Sequence, residues 1–176
     1  MTNSDIAKLL IDYGAVQDPT EITPLYRAVE GLNPKTILEV GVEGGGTLKL
    51  WSTLLGSDGL LVGVDMAPTY RWIDEDTDCE RLFIQGNSQE EATIDKVRSV
   101  VYDRGVDFLF IDADHTQEGV TRDYNNYSPL VRPGGIIGFH DINDNCGVKQ
   151  FWTALDAHKY EFINRIGIGF IVKEEK

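Results

Sequence analysis

Five short apolar runs, at residues 36–40, 60–65, 82–85, 106–111 and 136–140, alternate with stretches of helical periodicity near residues 47–55, 90–102 and 118–130. Each run is strand-length and bounded by Gly, Pro or Asp. Four are rich in Val, Ile or Phe, the composition of strands buried on both faces. Strands that alternate with helices argue for a parallel sheet covered by helices on both sides. The chain closes differently. Runs 160–166 and 168–172 are separated by Gly167 alone, and so short a connection forces antiparallel pairing. The expected fold class is therefore α/β: a three-layer sandwich around a mostly parallel sheet with an antiparallel C-terminal hairpin.

Two helices precede the first strand. In residues 5–13, Ile6, Leu9, Leu10 and Tyr13 recur at helical spacing, with Ser4 as N-cap. A second helix is expected over residues 24–31, capped by Thr23 and stopped by Gly31. The division is thus an N-terminal helical segment, residues 1–33, and an α/β domain, residues 34–176. The segment is expected to act at the substrate or as a dimer contact. Its apolar stripe needs cover from its own domain or from a second copy, and a homodimer is the expectation.

At 176 residues the chain suits one domain with a substantial core. A formal charge of −13 argues against nucleic acid, which calls for a basic face. That balance suits a small-molecule substrate or a divalent cation. No apolar run is long enough to span a membrane, and the first residues lack the pattern of a signal peptide. Cys79 and Cys146 have no CxxC spacing and read as reduced thiols of a cytoplasmic protein.

Chemistry concentrates at strand ends. Asp112, Asp114 and His115 follow the run at 106–111, and His140 and Asp141 close the run at 136–140. If those strands are parallel neighbours, both clusters reach one sheet edge, at the carboxyl ends where open α/β sheets bind ligands. Carboxylates and imidazoles converging there suggest a metal site, an acid–base site, or both. A strand-end Asp also often caps the next helix, a role open here to Asp114 and Thr116. Upstream, Ile37-Leu-Glu-Val-Gly41-Val-Glu-Gly-Gly-Gly-Thr47 reads as strand, glycine-rich turn and helix start. Such a turn lets backbone approach a ligand closely. Asp65 ends the next strand, where an acidic residue commonly binds ribose hydroxyls. Glu43 replaces the second glycine of a GxGxxG pattern, which weakens a dinucleotide reading.

In this set the chain resembles the class I S-adenosylmethionine-dependent methyltransferases. Glu39-Val-Gly41-x-x-x-Gly45-x-Thr47 is similar to their first motif and Val64-Asp65-Met66 to the second. Gln85-Gly-Asn-Ser88-Gln89 is similar to the third. The segment Asp107 to His115 resembles the metal-dependent O-methyltransferases of the catechol, caffeoyl-CoA and macrolide-sugar type, and Asp123 to Asp141 the small bacterial branch near cephalosporin hydroxylase. The resemblance implies a Rossmann-like seven-stranded sheet of order 3-2-1-4-5-7-6. It implies S-adenosylmethionine as cofactor, contacted by Glu39, Gly41, Gly45, Thr47, Asp65, Met66, Ser88, Gln89 and Asp112. Asp65 would take the ribose, Met66 the adenine face, and Ser88 and Gln89 the adenine edge. It further implies a divalent metal, Mg²⁺ or Mn²⁺, on Asp112, His140 and Asp141, with His115 as general base toward a phenol or sugar hydroxyl. His140 departs from the family pattern, which has a carboxylate or amide there; imidazole is a poor Mg²⁺ ligand and a better one for Mn²⁺, Fe²⁺, Co²⁺ or Zn²⁺. Either the metal differs, or His140 hydrogen-bonds substrate or water, or no metal binds.

Other residues read more plainly. Trp72 is an aromatic suited to covering adenine, and Asp74-Glu75-Asp76 is a solvated face. Trp51 and Trp152 lie in helical patterns and read as core; Asn143-Asp-Asn145 reads as a turn. Two rival functions remain at this point: a non-catalytic S-adenosylmethionine-binding protein and a nucleotide-dependent oxidoreductase. The missing GxGxxG and the absence of a Tyr-x-x-x-Lys pair count against the second.

Overall fold

Strands and helices follow in the order α1 (Asn3–Tyr13), α2 (Pro19–Gly31), β1 (Thr36–Val40), α3 (Gly46–Ser52), β2 (Leu60–Asp65), β3 (Glu80–Gln85), α4 (Glu91–Val101), β4 (Val106–Ile111), α5 (Gln117–Tyr127), β5 (Val131–His140), α6 (Gly147–Ala154), β6 (Lys159–Phe162) and β7 (Ile168–Val172). This computed structural model describes residues 1–68 and 78–174; Trp72 and the acidic run 74–76 lie outside them. The described strands form one seven-stranded sheet of order β3-β2-β1-β4-β5-β7-β6, the Rossmann-like order expected. The first five strands pair in parallel, and β7 runs antiparallel to both β5 and β6.

Alternation along the strands splits the core into two layers. Leu38, Val62, Leu109, Ile111 and Ile137 face one side, packed with Ile94, Val97 and Val101 of α4, Val120 and Tyr127 of α5, and Val148, Phe151 and Trp152 of α6. Ile37, Leu61, Phe108, Phe110 and Ile136 face the other, against Ile6, Leu10, Ile22, Leu25, Val29 and Trp51. Trp51 meets Phe108 and Phe110 edge-on, with ring centroids 4.9 and 5.5 Å apart, a favoured aromatic geometry. Both tryptophans expected as core are buried.

The apolar stripe of α1 is spent inside this second layer. Ile6 and Leu10 are fully buried there, and Leu9 and Tyr13 pack against its edge. The stripe therefore requires no second copy, and the homodimer expectation loses the feature that carried it. Residues 1–33 share one side of the core with α3.

Several element boundaries differ from expectation for local reasons. Thr2, not Ser4, caps α1. Its hydroxyl accepts from the Asp5 N–H at 3.2 Å, while the Asp5 carboxylate accepts from the Thr2 N–H at 2.8 Å, a reciprocal capping box. Helix α2 begins at Pro19, with Asp18 as its cap, and Pro24 lies inside it. The Asp-Pro pair supplies a cap and a pre-set first residue ahead of Thr23-Pro24. The connection between β6 and β7 spans residues 163–167, not Gly167 alone. Three backbone amides of that loop, of Asn164, Arg165 and Gly167, donate to the buried Glu21 carboxylate of α2. Strand pairing thus stops at Phe162.

Two backbones come very close where β1 meets β4. Gly41 has φ +90°, and a Cβ there would stand 2.1 Å from the Asp112 carbonyl oxygen. Gly41→Ala is expected to destabilise the protein by on the order of 3 kcal/mol, from left-handed strain plus overpacking. Urea denaturation monitored by Trp fluorescence measures this; a loss under 1 kcal/mol would mean that the two segments separate easily.

Candidate active site

A cavity of about 710 Å³ opens at the carboxyl ends of β1, β2 and β4. One wall is the glycine turn after β1. It bends through three left-handed residues, Gly41, Glu43 and Gly45. The Asp65 carboxylate at the end of β2 accepts from the Val42 and Glu43 N–H groups at 2.7 and 2.8 Å, and from the Ala67 N–H at 2.8 Å. The second motif's acid thus holds the first motif's turn in shape. Gly41, Thr47, Asp65, Met66, Ser88, Gln89 and Asp112 all line the cavity, with Met66 exposed at its mouth. Glu39 and Gly45, two expected cofactor contacts, are not in its wall. Glu39 is wholly buried near Thr47 and Trp51, with neither carboxylate oxygen in a completed hydrogen bond. Burial holds its carboxyl well above the usual range, against those neighbours' pull.

The far end of the cavity gathers the strand-end cluster. Parallel β4 and β5 put Ile111 beside Phe139, so Asp112 and His140 leave the sheet together. Asp141 follows with φ +60°, a sparsely populated backbone state that Asp tolerates. Donor atoms of Asp112, His115 and Asp141 lie within 4.8 Å of one another. The His115 Nε2 is 3.4 Å from Asp112 and 3.3 Å from Asp141. His140 is only 3% exposed; its Nδ1 is 3.2 Å from Asp112 Oδ1 and 3.6 Å from Asp141 Oδ1, while its Nε2 is buried without a partner. All four residues expected at the site therefore meet, with His140 on the buried side.

Burial works to raise the Asp112 pKa, but hydrogen bonds with His115 and His140 outweigh it and hold the carboxyl below its ordinary value. The His115 pKa is raised, chiefly by its hydrogen bond to Asp112 and against partial burial. Burial opposes the charged form of His140, yet Asp112, Asp141 and Glu21 together push its pKa up. Asp141 is raised by burial and by the Asp112 charge, despite the two imidazoles.

Asp114 does not join the cluster. Its carboxylate accepts from the Thr116 N–H at 2.9 Å, and Thr116 caps α5 by accepting from the Gly119 N–H at 3.0 Å. Two further residues escaped the sequence reading. Gln17, in the link between α1 and α2, donates its amide to Asp112 Oδ2 at 2.9 Å; no motif marks it, since only the fold brings positions so far apart together. Asp123 of α5 is fully buried and accepts from the Ser88 hydroxyl at 2.7 Å. Its signal was a charged residue on the Val120–Tyr127 apolar stripe.

Residues 38–142 match the family described as methyltransferase domain. The chain belongs to that family. In structure this methyltransferase resembles the MycE methyltransferase from the mycinamycin biosynthetic pathway, solved with Mg and SAH, at a TM-score of 0.69 and 17% identity. That match covers 97% of this chain but 54% of the other. An O-methyltransferase from Bacillus cereus in complex with SAH matches at a TM-score of 0.64 and 20% identity, over 98% and 92% of the two chains. An uncharacterized protein of Acanthamoeba polyphaga mimivirus is 40% identical over 52 residues, 30% of this chain and 24% of its own length. The methyltransferase thus spans about half of the mycinamycin enzyme and a quarter of the viral relative. Among its described residues no helix is long and apolar enough to cross a membrane.

Burial pushes the Asp123 carboxyl up to about 6 from 3.8. A folded-state pKa above the unfolded one means stability present below pH 4 and lost as pH rises toward 6. That gap corresponds to about 3 kcal/mol. Comparing wild type with Asp123→Leu by urea denaturation between pH 4 and 7 isolates the effect, because other groups are common to both. The stability difference should move toward the variant by about 2–3 kcal/mol over that range; parallel pH profiles would show that Asp123 ionises freely in the fold.

Proposed function

We propose that this methyltransferase transfers the methyl group of S-adenosylmethionine to a hydroxyl of a small molecule, with help from a divalent cation. The reading rests on one juxtaposition: the Asp112–His115–Asp141 cluster stands in the wall of the same cavity that the glycine turn, Asp65 and Ser88 line. The cavity runs from Ser88 and Gln89, assigned to adenine, past Asp65, assigned to the ribose, to Asp112 beside the methionyl end. The MycE enzyme, which has been solved with Mg, SAH and Mycinamycin VI, supports a small-molecule acceptor by analogy of fold.

The donor set fits a divalent cation. Asp112 and Asp141 offer carboxylate oxygens suited to Mg²⁺ or Mn²⁺. When bound, such an ion supplies Lewis acidity that lowers the pKa of an acceptor hydroxyl. His140 is assigned to orienting Asp112 from beneath, and Gln17 to fixing its other oxygen. His115, half exposed, is placed to take the hydroxyl proton; its neutral form is the working base. The acceptor oxygen then bonds the methyl carbon as the sulfur–carbon bond breaks, leaving S-adenosylhomocysteine and a proton on His115. Positioning and charge compensation are the protein's contributions.

The test is a methyl-transfer assay over phenols and sugars, with added Mg²⁺ or Mn²⁺. Asp141→Ala should abolish turnover with cofactor affinity nearly unchanged, and His115→Ala should lower kcat by roughly 10²–10⁴-fold. Activity that survives exhaustive chelation would remove the cation from this reading. Calorimetry adds a separate check: Asp65→Ala should weaken S-adenosylmethionine binding by roughly 1–3 kcal/mol, and unchanged affinity in a folded variant would refute the ribose assignment.

A further inference from the structure

Ser88 lines the cavity, and both its hydroxyl and its carbonyl are engaged from behind. The hydroxyl donates to Asp123 Oδ1 at 2.7 Å, and the carbonyl accepts from the Tyr127 hydroxyl at 2.7 Å. Asp123 and Tyr127 are fully buried on α5, one turn apart, and the second carboxylate oxygen of Asp123 has no partner. Although burial lifts its pKa to about 6, Asp123 is mostly ionised above neutrality.

A hydroxyl has one hydrogen to give and two lone pairs to offer. An ionised carboxylate only accepts, so it claims the Ser88 hydrogen. What Ser88 then presents to a ligand is an acceptor alone. Without Asp123 the hydroxyl would rotate and serve either polarity.

We infer that Asp123 is a positioning residue that, through Ser88, makes the cavity select a nucleobase carrying an amino group at this edge over one carrying a carbonyl there. For a methyl donor this means adenine over its deaminated counterpart hypoxanthine: the C6 amino group donates to Ser88, whereas a C6 carbonyl would set two acceptors against each other. The inference rests on the S-adenosylmethionine reading above.

The experiment is calorimetric titration at pH 8 of the full chain with S-adenosylhomocysteine and with S-inosylhomocysteine, which differ only at that edge. Wild type should prefer the adenine compound by about tenfold to a hundredfold, the range set by one hydrogen bond exchanged for an unsatisfied pair. Asp123→Leu, checked for folding by circular dichroism, should bring the two affinities to within about threefold, chiefly by improving hypoxanthine binding, since the freed hydroxyl can donate. A merely structural role for Asp123 would weaken both ligands in parallel and leave their ratio intact, which would overturn the inference. Should Asp123→Leu not fold, Ser88→Ala decides: it should erase the preference, and a retained preference overturns the inference. Wild type that binds the adenine compound without preference also overturns it while sparing the methyl-donor reading. Wild type that binds neither compound removes both.

Discussion

The closeness of two backbones organises this molecule. Where β1 ends, Gly41 lies against the Asp112 carbonyl with no room for a side chain. The Asp112 N–H donates to Val40, and the Gly41 N–H donates to Val64. These bonds extend the β2-β1-β4 pairing just past the strands, so the glycine turn, Asp65 and Asp112 leave the sheet side by side. A ligand that touches the turn at one point therefore meets the acidic cluster a few ångströms away. Everything attributed to the cavity follows from that adjacency, which no single motif encodes.

How much of this was legible in advance depends on the range of the interaction. Strand identity could be read because β1, β2, β4 and β5 are buried on both faces and hence largely apolar; the strand order came from the family resemblance. The clustering of Asp112, His115, His140 and Asp141 could be read because strand ends in a parallel sheet converge by geometry. Helix starts were read poorly where two capping signals competed, as with Asp18-Pro19 against Thr23-Pro24. Gln17 was invisible, since a glutamine in a connecting segment carries no periodicity. Glu39 was misleading: its motif position suggests a ligand contact, whereas its side chain points into the layer beneath the turn.

Electrostatics adds a second ordering. Asp112 is engaged by Gln17, His115 and His140, and Asp65 by three backbone amides, so the acids lining the cavity are already oriented. Such preorganisation lets fixed groups act on developing charge without first rearranging. It also explains why the fully buried Asp123 and Glu39 bear raised pKa values while the partly buried Asp112 does not: only Asp112 has imidazole partners.

The anchoring of the β6–β7 connection by Glu21 has an evolutionary consequence. Ile166 of that loop borders the cavity, yet neighbouring amides are clamped to a carboxylate rooted in the core. That stretch of wall is tied to the scaffold. Drift in what the cavity accommodates would then proceed by exchanging lining side chains such as Ile166 or Val16 at fixed backbone. Insertion or reshaping of the loop would strand a buried charge, and selection would meet that as lost folding before it met it as altered chemistry.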